Sequence, residues 1–196
     1  MSPTPRVSTQ GLGLPGHRAP GAGLEEPFEM LSACHERVER MLGLMQRLRQ
    51  HLSDQGWDTQ AAQAARDVMR YFDLAAPLHH QDEELHVFPA LLAAPDTGLH
   101  AVVRQLQQDH RDMAHNWSQA RLVLDRVATH GHTAWAPLTP PENTCLDRFA
   151  GVYARHIDAE NTQVYPAAQR HLTPADRHRM SEDMMVRRGV TPVTSR

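Results

Sequence analysis

The chain has no lysine: all 20 of its basic residues are arginine, set against 23 Asp and Glu for a formal charge of −3. That balance lacks the basic footprint that nucleic-acid binding requires, so no nucleic-acid partner is expected. Cysteine is scarce as well. Cys34 and Cys145 form no CxxC, which excludes a zinc knuckle and a thioredoxin-type redox motif and leaves two free thiols. No apolar run approaches the roughly 18 residues of a spanning helix. The N-terminus lacks the basic segment and apolar core of a secretory signal, so no membrane association and a cytoplasmic location are expected. Aromatics are few, with three Trp and three Tyr, and no alternating strand pattern occurs.

What remains is helical periodicity. Residues 1–23 are rich in Pro and Gly and read as a disordered tail, because they bury too little to offset ordering entropy. Apolar residues Leu31, Val38, Leu42, Met45 and Leu48 then mark a first amphipathic helix over about residues 24–52. A second spans about Thr59 to Leu92 along Ala61, Ala65, Val68, Phe72, Ala76 and Val87, with a kink expected at Pro77. A third, about Thr97 to His130, carries Leu99, Val103, Leu106, Met113, Trp117, Ala120, Leu124 and Val127. Gly131 to Asn143 reads as a loop, followed by a fourth helix from about Thr144 to Leu172. Thr173, Pro174 and Asp176 are an N-cap, a first-turn proline and a first-turn acid, opening a short last helix that ends near Gly189. The predicted architecture is all-α: an up-down-up-down antiparallel four-helix bundle with a short C-terminal helix, one domain over residues 24–189, and a loose tail over 190–196.

Histidine is the abundant polar residue, at 14. His17, His51, His100, His130, His132, His171 and His178 read as solvated surface. Others fall on the inner stripes. His35 lies between Leu31 and Val38, and His110 between Leu106 and Met113. The second and fourth helices carry His79 with Glu83 and His156 with Glu160. Residues four apart on a helix lie one above the other, so each pair can reach a common cation.

The pairs recur with their surroundings, as His79-x3-Glu83-x4-Phe88-Pro89 and His156-x3-Glu160-x4-Tyr165-Pro166. His35 and His110 are 75 residues apart and the two pairs 77, so the halves of the chain repeat. A pseudo-twofold bundle brings the six side chains together. Two buried carboxylates with no arginine on their turns cost several kcal/mol per ion unless protonated or neutralised by a cation. Four imidazoles and two carboxylates without thiolate suit two iron ions best and manganese next, whereas a structural zinc site is normally tetrahedral and cysteine-rich. If both glutamates bridge, each metal receives two nitrogens and two oxygens. An oxo or hydroxo bridge would bring that to five, leaving a position for dioxygen, nitric oxide or peroxide.

These residues resemble the hemerythrin-like family, the HHE cation-binding domains, over about residues 24–189. The segments His79-His80-Gln81-Asp82-Glu83-Glu84 with Phe88-Pro89, and His156 to Glu160 with Tyr165-Pro166, look like its two hallmark motifs; Met184-Met185-Val186-Arg187-Arg188-Gly189 looks like its usual end. The resemblance fixes His79 as the partner of Glu83 and places His80 and Glu84 behind the ligands or at the surface. The oxygen carriers that typify the fold use two histidines four apart on the third helix and a final aspartate. Here Ala114 and Glu160 stand there, and His115 is one residue further round. The likeness is therefore to bacterial relatives that are sensors, iron handlers or nitric oxide and peroxide reactive proteins.

Two further positions follow from the repeat: His86 and Gln163, three residues after each glutamate, are expected to hydrogen-bond near the ligands. Tyr153 is a core residue or a partner for a bound oxygen species, and Cys34 points about 100° away from His35 and is not a ligand. The functional reading is a di-iron protein that binds or senses a small diatomic or peroxide ligand. The alternatives are an enzyme that consumes peroxide or nitric oxide, an iron-handling or repair protein, or an inert cross-link whose C-terminal helix serves a partner.

Overall fold

The computed structural model describes residues 26–131 and 134–191. The expected N-terminal tail lies outside the described residues, as does the C-terminal one from residue 192. Five helical spans make up the fold, with no strand among the described residues. They are α1 (Pro27–Asp54), α2 (Thr59–Asp82, continuing through Glu83–Val87 into Phe88–Leu92), α3 (Thr97–Ala128), α4 (Pro140–Gly151, Tyr153–Ala159, Glu160–Val164 and Tyr165–His171) and α5 (Pro174–Arg187). No helix is long and apolar enough to cross a membrane among the described residues.

Side chains cap most of the starts. Asp58 accepts from the Ala61 amide at 2.7 Å and Asp96 from the Gly98 and Leu99 amides, each satisfying donors the helix cannot. Thr173 and Asp176 form the expected capping box on α5. The start of α4 departs from expectation. It begins at Pro140, because Thr139 and Glu142 close a second capping box around prolines at the first two helical positions. The prolines expected to hold a loop there instead open a helix.

The helix α2 runs through Pro77 as α-helix, and its irregularity comes a turn later. Glu83–Val87 and Glu160–Val164 are π turns, in which the Phe88 amide donates to the Glu83 carbonyl and the Tyr165 amide to the Glu160 carbonyl. Pro89 and Pro166 supply the cause. A proline within a helix has no N–H and its ring crowds the carbonyl four residues back; widening the preceding turn by one residue relieves that clash. The sequence repeat thus becomes a repeated helix defect that starts on each glutamate.

The core has two clusters. One gathers Val38, Met45, Leu48, Val68, Phe72, Met113, Leu124 and Phe149; the other gathers Leu31, Phe88, Leu91, Val103, Leu106, Tyr165, Met180 and Met184. Fully burying side chains of this size contributes about 1.5–3 kcal/mol each. On α1, His35 falls between Leu31 of one cluster and Val38 of the other, and on α3 His110 falls between Leu106 and Met113 in the same way. A polar layer therefore separates two apolar blocks. Met180 and Met184 of α5 are fully buried in the second block, so its inner face is committed to the chain's own core.

Candidate metal centre

The structure brings all six sequence-predicted residues into that layer. His35, His79, Glu83, His110, His156 and Glu160 are each at most 7% exposed, and both glutamates are fully buried. Their donor atoms fall into two overlapping groups, His35, His79, Glu83 and Glu160 on one side and Glu83, His110, His156 and Glu160 on the other, each within 4.8 Å. Both glutamates belong to both groups.

Each carboxylate turns one oxygen to each side. Glu160 Oε2 is 3.0 Å from His35 Nε2, while its Oε1 is 3.0 Å from His156 Nε2 and 4.0 Å from His110 Nε2. Glu83 Oε1 is 3.5 Å from His79 Nε2 and its Oε2 is 3.3 Å from His110 Nε2. Several of these atoms are close without being hydrogen-bonded. Glu83 Oε2, both Glu160 oxygens, His110 Nε2 and His156 Nε2 are buried with no hydrogen-bond partner among the described residues. Buried polar atoms are normally satisfied, and leaving one unpaired costs about 1–3 kcal/mol. Nitrogen and oxygen atoms converging at such spacing without aligned hydrogen bonds fit a cation between them, and the all-N/O set fits iron or manganese.

Outer hydrogen bonds aim the rings. His35 Nδ1 pairs with Asn161 Oδ1 at 3.0 Å, turning Nε2 inward. His110 Nδ1 pairs with Glu84 Oε1 at 3.1 Å, and Gln107 donates to the other oxygen of Glu84 at 2.8 Å. Asp109, itself buried, lies 3.5 Å from His156 Nδ1 without a hydrogen bond to it and accepts from Arg155 and Gln105. Such partners fix ring orientation and raise ligand basicity.

The two acids titrate in opposite directions. Burial and the neighbouring Glu160 hold Glu83 well above the usual carboxylate range. Burial opposes ionisation of Glu160 too, but His156 and His35 outweigh it and hold this carboxyl well below that range. Burial disfavours a charged His35, yet Glu160 raises it; burial and His35 push His79 well down. Burial, the other acid and the histidines thus drive the two carboxyls apart, Glu83 upward and Glu160 downward.

Sequence reasoning missed Tyr165. The extra residue of the π turn points it inward, where its hydroxyl donates a short hydrogen bond to Glu83 Oε1 and lies 3.1 Å from His35 Nε2. The same turn overturns the roles expected for His86 and Gln163. His86 pairs at 2.6 Å with Asp183 of α5, and Gln163 is exposed. Asn161 and Asp109 were also missed; their signal was adjacency to ligands in sequence. Glu84, placed behind the ligands, is there. His80 stacks on His110 with ring centroids 4.1 Å apart and brings a donor within 4.8 Å of those of His110 and His156.

Tyr153 packs against Phe72 and Phe149, and Cys34 is a buried free thiol outside the donor groups. Ala114 and His115 face outward. Of the surface histidines, His171 and His178 are exposed, and His17 and His132 lie outside the described residues. His51, His100 and His130 are half-buried instead: His51 pairs with Asp58 at 3.1 Å, His100 meets the Ala94 carbonyl at 2.7 Å, and His130 sits between Trp57 and Trp135.

A helical bundle whose interior carries a buried histidine and glutamate nest is, by class, a cation-binding helical protein. The model of the hemerythrin HHE cation binding domain matches residues 26–168. The chain belongs to that family. It is also 32% identical over 136 residues, 69% of this chain and 74% of the relative, to a protein of Haemophilus influenzae described as uncharacterized.

Proposed function

We propose that this protein holds two iron ions and binds or senses a small diatomic or peroxide ligand, such as dioxygen, nitric oxide or hydrogen peroxide. His35 and His79 would hold one ion and His110 and His156 the other, with Glu83 and Glu160 shared. The observation that carries this reading is the pair of donor groups with both glutamates in common. Two ions, not one, satisfy the unpaired buried atoms on both sides. The bundle we infer for α1 to α4 is up-down-up-down and antiparallel, supported by the short connections after α1 and α2. A cytoplasmic location suits a chain with two free thiols and no disulfide among the described residues.

When bound, the metal pair supplies electrons and an exchangeable coordination position; the protein supplies the rest. Asn161 and Glu84 orient imidazoles, and the apolar blocks above and below exclude water. Glu160 in place of the oxygen carriers' aspartate, and His110 as the one histidine of α3 in the nest, support a sensor over a transport protein.

The test is metal analysis of protein purified without chelators, then optical spectra after anaerobic reduction and exposure to air, nitric oxide or peroxide. Two iron equivalents and stable, reversible adducts are expected. Far fewer than two transition-metal equivalents, with no further uptake on titration, refutes the dinuclear site. Rapid catalytic consumption of the added ligand refutes the binding role in favour of an enzyme.

A further inference from the structure

The two halves of the nest differ at the aromatic residue that follows each glutamate. Five residues after Glu83 comes Phe88, and five residues after Glu160 comes Tyr165. Both close a π turn with their amide, both are buried, and each ring stacks on one histidine of the nest: Phe88 on His110 of α3 at 5.5 Å and Tyr165 on His35 of α1 at 5.4 Å. Only Tyr165 ends in an oxygen. That oxygen is hydrogen-bonded to Glu83 Oε1 and 3.1 Å from His35 Nε2, inside the first donor group.

Donor atoms on one ion, with bonds of about 2.0–2.2 Å at right angles, lie about 3 Å apart. The Tyr165 hydroxyl meets that spacing from His35 Nε2, as does Glu160 Oε2 at 3.0 Å. Phe88 gives the other side nothing comparable.

We propose, resting on the di-iron reading above, that Tyr165 is a fifth protein ligand to the metal held by His35 and His79, binding as phenolate. Ligation breaks the O–H bond, leaves the electron pair on the phenol oxygen and releases the proton to solvent. The two metal positions are then inequivalent. The His35 side gains a phenolate oxygen, while the His110 and His156 side has the ring of Phe88 in that place and a nitrogen of His80 within 4.8 Å of its two imidazoles.

Protein loaded with iron and oxidised is analysed for iron content, visible absorption and resonance Raman scattering, alongside Tyr165→Phe, Tyr153→Phe and Phe88→Tyr. The expected result is a phenolate-to-ferric charge-transfer band with enhanced phenolate ring modes. Both are lost in Tyr165→Phe at unchanged iron content, kept in Tyr153→Phe, and about doubled in intensity in Phe88→Tyr. Should Tyr165→Phe fail to fold, ring-deuterated tyrosine in the wild type must shift the enhanced modes. Two bound irons with no phenolate modes overturn the tyrosine ligand and leave the di-iron reading intact. Far fewer than two irons overturn both.

Discussion

Asp82 precedes Glu83 and is fully buried, held by Arg187, the last residue of α5, and Arg188, which caps that helix. Arg187 reaches one of its oxygens through Nε at 3.2 Å and Nη2 at 2.5 Å, and Arg188 reaches the other at 2.5 Å. Their side chains are only 13% and 14% exposed. Replacing both arginines by glutamine strands a buried carboxylate, a change that costs about 3–5 kcal/mol in such settings. For a chain of this size each kcal/mol lowers Tm by about 2–4 °C, so a fall of about 6–20 °C is expected. Asp82→Asn alone is milder, about 1.5–3 kcal/mol, because the arginines can turn toward water while no buried charge is left behind. Adding Asp82→Asn to the double arginine variant removes the stranded charge and should restore at least half of the lost stability. The assay is urea and thermal unfolding followed by circular dichroism at fixed metal concentration, since bound metal itself shifts Tm. A double arginine variant within about 1 kcal/mol of wild type, or no recovery on adding Asp82→Asn, would show that the clasp does not hold α5 to the metal-bearing helix.

In metal-free protein Glu160→Gln should cost about 1–3 kcal/mol near pH 7, because it removes the charge that His156 and His35 stabilise; the folded carboxyl lies below its ordinary 4.5, so this cost fades as pH falls through and below that value. Glu83→Gln should do the reverse: its folded carboxyl lies above 4.5, wild-type stability drops as pH rises past that value, and the variant gains on wild type over the same range in unfolding titrations. Identical pH profiles for the two variants would refute the opposed assignment. Thr139→Ala should cost about 1 kcal/mol by opening the capping box. Burial opposes ionisation of Glu142, but Thr139 and Arg126 outweigh it and hold the carboxyl below 4.5; the stabilisation is full above that value and lost as pH falls through the depressed one, so the Tm gap between variant and wild type should narrow in acid. Deleting Leu85, which is 51% exposed, should convert the first π turn to α-helix and leave the fully buried Phe88 and Leu91 facing inward, because the deletion removes the inserted residue and keeps the helical phase beyond it. A loss of no more than roughly 1 kcal/mol in urea unfolding is expected, and a loss of several kcal/mol, the size of emptied core positions, would mean that the π turn is not a single inserted residue.

Helix periodicity and the recurring pairs carried most of this protein in plain view. His35 and His110 on apolar stripes, and His79 with Glu83 and His156 with Glu160 four residues apart, meet in one buried layer as their spacing implies. The short reach of that logic shows at the glutamates. A regular helix continues with a period of 3.6 residues, which puts His86 and Gln163 over the acids; the π turns insert one residue and put Phe88 and Tyr165 there instead. The cause was in the sequence, in Pro89 and Pro166, but a proline near a helix end reads equally as a stop. At Thr139-Pro140-Pro141-Glu142 the same residue type suggests a loop where it opens a helix. The Asp82 clasp spans more than 100 residues of chain, and no local pattern announces a contact between α2 and α5. What the chain encodes after each glutamate is therefore a change of helical phase. An aromatic residue five positions on, followed by proline, faces the metal ligands, and whether that aromatic ends in a carbon or an oxygen decides what its half of the site can bind.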